Sequence, residues 1–354
     1  MKKILTILAL TLLCARALAC TTAIVSAGAS GSGRPLLFKQ RDTSNPYNVV
    51  VNIPSTDGKY AYTAVFNASD KTRRSVYAGS NEKGFAIVNN MSYNIAEGDY
   101  DADNGSVMRR ALECCASVDE FEAMLLAEES RECASNFAVT DAGGAAAYIE
   151  AADASVTRYD VPEGGWLVRS NYSVSGREDE PSGYARYETA HSIMSSHKGK
   201  FTVSDLIDGL GRSWYNAVLG FDASRKFRRG LIYDEDFIPR PTTVSAVCFD
   251  GPSVMWTAVG YTPACFAVPV EVLGEIPVCV GPTDPEGRAP ASVLAEKLKA
   301  EMHPLPRDAA RKYVDFRVVR PIMKTVRRYE KTAAGLLGRP DEIDALFEEF
   351  KKQF

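Results

Sequence analysis

The sequence predicts an α+β protein in which antiparallel sheets are covered by helices. Short runs rich in β-branched and aromatic residues are separated by tight turns, which is typical of hairpins. Segments with a helical apolar period are interleaved with these runs but do not alternate with them one for one, so a doubly wound parallel sheet is not indicated. With 354 residues, 45% of them apolar, the chain can bury a sizeable core.

The strand candidates form two blocks. The first block opens with a predicted hairpin, in which the run Thr21 to Val25 is followed by a Gly- and Ser-rich turn and a returning strand at 35–40. The other candidates are 59–66, 75–79, 84–91, 135–140, 145–151, 155–160, 165–170, 243–249, 254–260 and 264–272.

Helices are predicted between the strand blocks and over the last third of the chain. Ser117 with Glu120 forms a capping box for one of them, and Thr202 caps another. The predicted helices are 106–116, 118–129, 182–196, 202–210, 291–302, 308–331 and 340–353. Because a loop precedes the last three, we divide the chain into a main domain over 20–281 and a helical extension over 282–354, packed on that domain or continuous with it.

Residues 1–19 have the pattern of a secretory leader. Lys2 and Lys3 precede the apolar run Ile4 to Leu13, and small residues stand at both ends of Ala17-Leu18-Ala19. Cleavage after Ala19 would make Cys20 the N-terminal residue of an exported protein, periplasmic or extracellular. No other stretch is apolar enough to cross a bilayer.

A cysteine directly after a cleavage site has a second interpretation, as the acylated residue of a lipoprotein. That signal prefers a branched aliphatic residue three places before the cysteine and a small residue two places before it. Ala17 and Leu18 occupy these positions in the opposite order. The pattern therefore favours ordinary cleavage over lipidation.

Charge and cysteine spacing exclude several classes of partner. The net charge is −4, with no long block of one sign, so no nucleic-acid partner is indicated. Six cysteines remain beyond Cys14 and Cys20, and their pairing stays open. Cys114 and Cys115 are adjacent on a predicted helix, where their side chains are expected to point in different directions, and the spacing of the six does not suggest zinc. We predict no metal and no organic cofactor.

The residues best suited to chemistry are at the predicted mature N-terminus. Cysteine catalysis needs a base, and the chain has only three histidines, His191, His197 and His303, none in a suggestive context. An N-terminal cysteine needs no histidine, because its own α-amine, with an ordinary pKa of ~7.7–8.0, can accept the thiol proton. The sequence thus favours Cys20 as both nucleophile and base.

The opening Cys20-Thr21-Thr22 resembles the linear amide C–N hydrolases of the N-terminal nucleophile class. This family includes choloylglycine hydrolases, penicillin V acylases and isopenicillin N acyltransferases. Four more stretches match in the family's order, over about 20 to 190, namely Phe38-Lys39-Gln40-Arg41-Asp42, the run Asn81 to Asn90, Val168-Arg169-Ser170-Asn171-Tyr172, and the run Ser182 to Tyr187. The resemblance implies a four-layer αββα fold, with 20–281 as the catalytic domain.

The resemblance also implies roles around the nucleophile. Cys20 would attack the amide carbonyl, and Asp42 would hold its amine by a charge-assisted hydrogen bond. Asn171, with Asn89 or Asn90, would donate to the oxyanion. The register that would decide between these two adjacent asparagines stays open.

Two basic residues would keep the site positive. The resemblance implies this role for Arg186 and Lys39, and a positive site favours the thiolate of Cys20. Lys39 stands where many relatives have Arg, and a lysine lacks the planar fork. Arg41 could compensate, although in a strand it faces the same side as Lys39 and away from Asp42.

The expected activity is hydrolysis of a small-molecule linear amide through a Cys20 thioester. Bile salts, penicillins, N-acyl amino acids and small peptides are all open as substrates. An acyltransferase of the isopenicillin N type and a dipeptidase are alternatives, and a lipid-anchored binding protein is the alternative without catalysis. No stable membrane insertion is expected, and a homo-oligomer stays open.

Overall fold

A computed structural model describes residues 20–95, 103–178, 182–226, 230–305 and 313–354. The predicted leader, 1–19, lies outside the described residues. The strands are β1 (Thr21–Val25), β2 (Leu36–Asp42), β3 (Asn48–Ile53), β4 (Tyr62–Asn67), β5 (Ala78–Asn81), β6 (Ala86–Met91), β7 (Ala134–Thr140), β8 (Ala146–Ala152), β9 (Ser155–Asp160), β10 (Trp166–Arg169), β11 (Tyr215–Asn216), β12 (Phe221–Asp222), β13 (Leu231–Tyr233), β14 (Thr243–Asp250), β15 (Val254–Ala258), β16 (Val268–Glu271) and β17 (Tyr313–Asp315).

The α-helices follow in the positions that the periodicity predicts, with one short addition. They are α1 (Asn104–Cys114), α2 (Val118–Ala127), α3 (Tyr184–Ser196), α4 (Ala223–Lys226), α5 (Pro290–Met302), α6 (Phe316–Ala333) and α7 (Pro340–Lys351). The predicted helix at 202–210 ends in a π-helical segment over Asp205–Leu210. Among the described helices, none is both long and apolar enough to span a membrane.

Two large antiparallel sheets form the centre of the molecule. One has six strands in the order β10-β1-β2-β14-β15-β16, and the other has seven strands, β3 to β9, in chain order. β1 and β2 contact β6 and β7 across the interface between the sheets. α1 and α2 pack on the seven-stranded sheet, while α3 packs on β1 and β10. The predicted α+β class and four-layer αββα arrangement are confirmed.

The sandwich explains why β2 is buried along its whole length. One sheet face meets the second sheet and the other meets the helical layer, so all seven residues of Leu36–Asp42 are buried. Four consecutive members, Lys39 to Asp42, are polar or charged. Burying such groups costs free energy unless they are paired, and their presence in a central strand marks this end of the sheet as a site.

Four strands were not predicted from the sequence, and one helix boundary was misplaced. β3 was missed because its apolar run is flanked by Asn48 and Asn52, and β11, β12 and β13 have only two or three residues each. Residues 313–315 were assigned to a helix, but they form β17 and pair with β13. The helix starts only at Phe316, where the Asp315 side chain caps it by accepting from the Arg317 N–H.

The junction between α1 and α2 corrects the expectation for Cys114 and Cys115. Cys114 ends α1, whereas Cys115 is its C-cap with extended backbone (φ −98°, ψ 136°). Their sulfur atoms are 3.7 Å apart and do not point in different directions. All cysteines of the described residues are free thiols.

Candidate active site

Cys20 lies at the entrance to β1, which is an interior strand of the six-stranded sheet. β1 pairs with β2 through Thr22↔Lys39 and with β10 through Thr22↔Arg169. Continuing both antiparallel ladders by two residues brings Cys20 beside the end of β2 and beside the segment that follows β10. The predicted site residues on these two segments are therefore brought together by strand pairing.

The backbone of Cys20 is held by Asn171 and Arg186. The Cys20 N donates to Asn171 Oδ1 at 3.0 Å, and Arg186 Nη2 donates to the same oxygen at 2.7 Å. Arg186 Nη1 donates to the Cys20 carbonyl at 2.6 Å and to Thr21 Oγ1 at 3.1 Å. The Asn171 Nδ2 is used elsewhere, donating to the Met91 carbonyl at 2.9 Å. Asn171 thus presents its oxygen, not its amide N–H, to the Cys20 nitrogen.

A glycine makes this approach of Arg186 possible. Gly183, the N-cap of α3, has φ 81°. A Cβ at this position would lie 2.5 Å from Arg186 Nη2 and 3.0 Å from Ser170 Oγ. The left-handed turn also favours glycine by itself. Any side chain here would displace the guanidinium from Cys20.

Cys20 lines a cavity of about 190 Å³ whose wall also includes Lys39, Arg41, Asp42 and Asn89. Lys39 Nζ donates to Asn89 Oδ1 at 2.7 Å and to the Tyr77 carbonyl at 2.9 Å. Burial lowers the pKa of Lys39 to about 8, with Cys20 opposing and Arg41 adding to the shift.

Arg41 lies on the same side of β2 as Lys39, as strand geometry predicts. Its guanidinium lies 3.4 Å from the centre of the Tyr77 ring and donates to Asn48 Oδ1 and Asn67 Oδ1. Burial lowers the pKa of Arg41, and the negative partners around it oppose that shift. Two buried cations in one small cavity favour negative charge that develops on the sulfur.

Asp42 also lines the cavity, but its carboxylate contacts Thr243 and Arg240. Its Oδ1 accepts from Thr243 Oγ1 at 2.6 Å, and its Oδ2 lies 3.8 Å from Arg240 Nε. Burial raises the pKa of Asp42 to about 6, opposed first by Arg240 and then by Arg186. In the structure the Cys20 nitrogen donates to Asn171, so the Asp42–amine bond stays a prediction for the cleaved protein.

The two adjacent asparagines of β6 have different surroundings. Asn89 lines the Cys20 cavity, and its Nδ2 donates to Ser135 Oγ at 3.0 Å. Asn90 Oδ1 accepts from Thr22 Oγ1 at 2.7 Å, and its buried Nδ2 has no partner among the described residues. Their roles as oxyanion donors stay predictions.

Comparison with known proteins finds a matching family model and several similar solved structures. The family model of acyl-coenzyme A:6-aminopenicillanic acid acyl-transferase matches residues 44–212. The match spans a little under half of the 354 residues. The predicted resemblance to this family is confirmed.

Solved structures of such enzymes resemble the chain distantly. An N-acylethanolamine-hydrolyzing acid amidase ortholog from Caenorhabditis elegans is 14% identical, with a TM-score of 0.42, over 65% of this chain and 92% of its own. A conjugated bile acid hydrolase variant from Clostridium perfringens is 12% identical, with a TM-score of 0.42, over 68% and 89%. Penicillin V acylase from Agrobacterium tumefaciens is 15% identical, with a TM-score of 0.37, over 70% and 85%. No curated protein matches the chain.

Arg240 is the site residue that sequence reasoning missed. It lines a second cavity, of about 400 Å³, together with Asn171 and Arg186, the two residues that contact the backbone of Cys20. Its buried Nε has no hydrogen-bond partner among the described residues. Arg240 stands between two prolines, Pro239 and Pro241, in a segment without helix or strand pattern. No sequence signal connects it with Asp42, about 200 residues earlier.

Among the residues that the structure describes, no histidine lines either cavity. His303 is buried elsewhere, with Nε2 3.0 Å from Asp234 Oδ2. His191 and His197 lie on α3 and at its C-cap. Within the described ranges, no group of three or more His, Cys, Asp or Glu side chains could hold a metal ion.

Arg240→Gln is expected to destabilise the protein in a pH-dependent way. Arg240 is the strongest charge opposing the raised pKa of Asp42, so its loss moves that pKa above about 6. A raised folded-state pKa means that the folded protein binds the proton more tightly than the unfolded chain. The stability linked to this proton is present below pH ~4 and is lost as pH rises through the folded-state pKa of Asp42. Each tenfold increase in proton affinity corresponds to ~1.4 kcal/mol. The variant should therefore lose more stability at pH 7 than at pH 5.

Urea unfolding at pH 5 and pH 7 measures this difference. Arg240→Lys is the matched control, because it keeps a positive charge beside Asp42. An equal loss at both pH values in Arg240→Gln would show that Arg240 does not set the pKa of Asp42.

Proposed function

We propose that the protein is a cysteine amidohydrolase that cleaves linear amide bonds through a thioester at Cys20. The observation that supports this proposal is that different side chains surround the cavity and the backbone of Cys20. The Cys20 cavity contains Lys39 and Arg41, while Asn171 accepts from the Cys20 nitrogen and Arg186 donates to the Cys20 carbonyl. The thiol of Cys20 would thus be the nucleophile and its α-amine the base, and different side chains would surround each group.

The proposed reaction begins when cleavage after Ala19 converts the Cys20 amide nitrogen into an α-amine. The neutral amine accepts the thiol proton, directly or through a water, and the thiolate attacks the substrate carbonyl. The C–N bond breaks as the ammonium returns its proton to the leaving nitrogen, which leaves an acyl thioester on Cys20. Water then attacks the thioester, and the thiol regains its proton as the acid product forms.

The two cavities support an orientation for the substrate. The leaving nitrogen must lie within hydrogen-bonding reach of the Cys20 amine, which is on the side of Asn171, Arg186 and the 400 Å³ cavity. The acyl group then occupies the 190 Å³ cavity on the thiol side. The larger cavity also contains Glu235, Asp236 and Arg240, so a polar or charged amine is the leaving group that fits it.

The proposal requires that cleavage after Ala19 makes Cys20 the N-terminal residue. The leader pattern supports export to the periplasm or the extracellular space, and export supplies the peptidase that would free Cys20. The hydrogen bonds of Asn171 and Arg186 to Cys20 support a site already arranged before that cleavage.

Mass spectrometry of the exported protein, after brief treatment with iodoacetamide, tests the proposal. We expect a chain that begins at unmodified Cys20 and is alkylated there before the other thiols. A chain that keeps its leader, or carries a diacylglyceryl group on Cys20, would contradict the mechanism. The second result would instead support the lipid-anchored binding protein.

The matching family model favours one alternative within the enzyme class, an acyltransferase. The two reactions share the thioester and differ in whether water or a second amine resolves it. Single-turnover reactions with and without an added amine distinguish them. A constant yield of free acid identifies the hydrolase, and conversion to a new amide identifies the acyltransferase.

A further inference from the structure

Three sulfur atoms form a nearly equilateral triangle at the junction of α1 and α2. The Sγ atoms of Cys114 and Cys115 are 3.7 Å apart. The Sδ of Met124 lies 3.8 Å from the first and 3.9 Å from the second. None of the three residues of this sulfur triangle lines either cavity of the candidate active site, and neither the proposed reaction nor the family match accounts for it.

The local backbone brings adjacent cysteines to the same side. In a continuous helix, neighbouring side chains diverge by about 100°. Here α1 stops at Cys114, and the extended backbone of Cys115 turns its side chain back toward the helix end. α2 then begins within three residues, and its second turn carries Met124 over both thiols.

Several hydrogen bonds fix this junction. Asn81 Nδ2 donates to the carbonyls of Leu112 and Cys115, which ties the end of α1 to the seven-stranded sheet. Ser117 Oγ accepts from the Glu120 N–H, and Glu120 Oε2 accepts from the Ala116 N–H. The triangle is therefore built on restrained backbone, which lowers the cost of binding a ligand there.

The size of the triangle matches a metal–sulfur bond. For an edge of 3.8 Å, the centre lies 3.8/√3, or about 2.2 Å, from each sulfur, and a typical metal–thiolate bond is ~2.3 Å. We propose that Cys114, Cys115 and Met124 form a trigonal site for one soft monovalent cation of the Cu(I) class. The site does not depend on the proposed amidase function.

The donor set selects this class of cation. Two thiols and a thioether are soft ligands, which favour Cu(I). Structural zinc prefers four ligands, and no further His, Cys, Asp or Glu completes such a set among the described residues. Because thiolates are the ligands, binding forms three metal–sulfur bonds and releases the Cys114 and Cys115 protons to solvent, with no change of oxidation state.

The site is accessible to a cation from solvent. Cys114 is exposed, Met124 is half-buried and Cys115 is buried beneath them. An ion can therefore reach the triangle while its inner side stays in apolar surroundings. A vicinal Cys114–Cys115 disulfide is the competing state, and it would have to be reduced before the cation binds.

Competition for Cu(I) tests the proposal on the complete, folded protein. Pre-reduced protein, carrying Cys20→Ser to remove the other reactive thiol, is titrated without oxygen into the Cu(I)–bicinchoninate complex. We expect it to withdraw one equivalent of copper. Cys114→Ser should abolish this, and Met124→Leu should weaken binding at least ~10-fold. Met194→Leu, which replaces a buried methionine outside the triangle, should bind like the parent, and circular dichroism confirms that each variant is folded.

Two results would overturn the site. One is a fully reduced parent, confirmed by mass, that withdraws no stoichiometric copper. The other is retention of parental affinity in Cys114→Ser and Met124→Leu, which would assign the copper to other thiols. X-ray absorption on the loaded parent gives an independent readout, because a trigonal site shows three sulfur neighbours and a linear bis-thiolate shows two.

Discussion

Replacing Cys20 by serine is expected to lower amide cleavage at least ~10³-fold without unfolding the protein. A hydroxyl is far less acidic than a thiol, so the α-amine can no longer generate the nucleophile near neutral pH. Loss of a catalytic nucleophile also disables several groups that act together, which explains why such effects are large. Serine has nearly the shape of cysteine, so the bonds of Asn171 and Arg186 to the backbone of residue 20 should persist.

The measurement is kcat/KM on a panel of N-acyl amides with short, branched and aromatic acyl groups. Cys114→Ser is the matched control, since Cys114 is an exposed thiol outside the site, and it should keep wild-type activity. Thermal unfolding of all three proteins separates loss of chemistry from loss of fold. Undiminished cleavage by Cys20→Ser would remove Cys20 from the mechanism.

Glu150→Gln is expected to cause the largest loss of stability, ~3–5 kcal/mol in the free energy of unfolding. Glu150 and Arg169 form a buried ion pair at 2.6 Å. The Glu150 carboxylate also accepts from the backbone N–H groups of Val174 and Ser175 and from Ser175 Oγ. Neutralising it leaves the Arg169 guanidinium buried without its counter-charge, which is the costly way to break such a pair.

Urea denaturation measures this loss. Arg158 pairs with three acids, Asp119, Glu122 and Asp160. The matched control is Asp119→Asn, which removes one of these acids, whose side chain is 83% exposed. We expect a change within ~0.5 kcal/mol there. Because Glu150 holds the segment just after Asn171, the Glu150→Gln variant should also lose order around Cys20. Equal, small effects of both substitutions would show that the buried pair contributes little.

Local patterns predicted most of the fold. The hairpin of β1 and β2, the strands on both sides of it and the cap at Ser117 follow from alternation, turn residues and capping preference. The order of strands within the two sheets was not predicted, because pairing such as β2 with β14 joins residues about 200 apart. The helix boundary at 316 was misplaced because β17 exists only by pairing with β13.

The candidate site was predictable where chemistry and chain order coincide. Cys20, Lys39, Asn171 and Arg186 were chosen from motifs, and the structure brings them together. Arg240 had no motif and depends on a tertiary contact with Asp42. The orientation of the Asn171 side chain could not be predicted from the sequence either. It is set by three tertiary contacts, because Oδ1 accepts from Arg186 and from the Cys20 nitrogen while Nδ2 donates to the Met91 carbonyl.

The hydrogen bond from the Cys20 nitrogen to Asn171 has a consequence for latency. A peptide nitrogen shares its lone pair with the preceding carbonyl and cannot accept a proton, whereas a free amine can, yet both can donate to the same oxygen. Removal of the preceding residue would therefore change the basicity of one atom and need not change the shape of the site. A latent and an active chain would superimpose, and only their reactivity toward an electrophile would tell them apart.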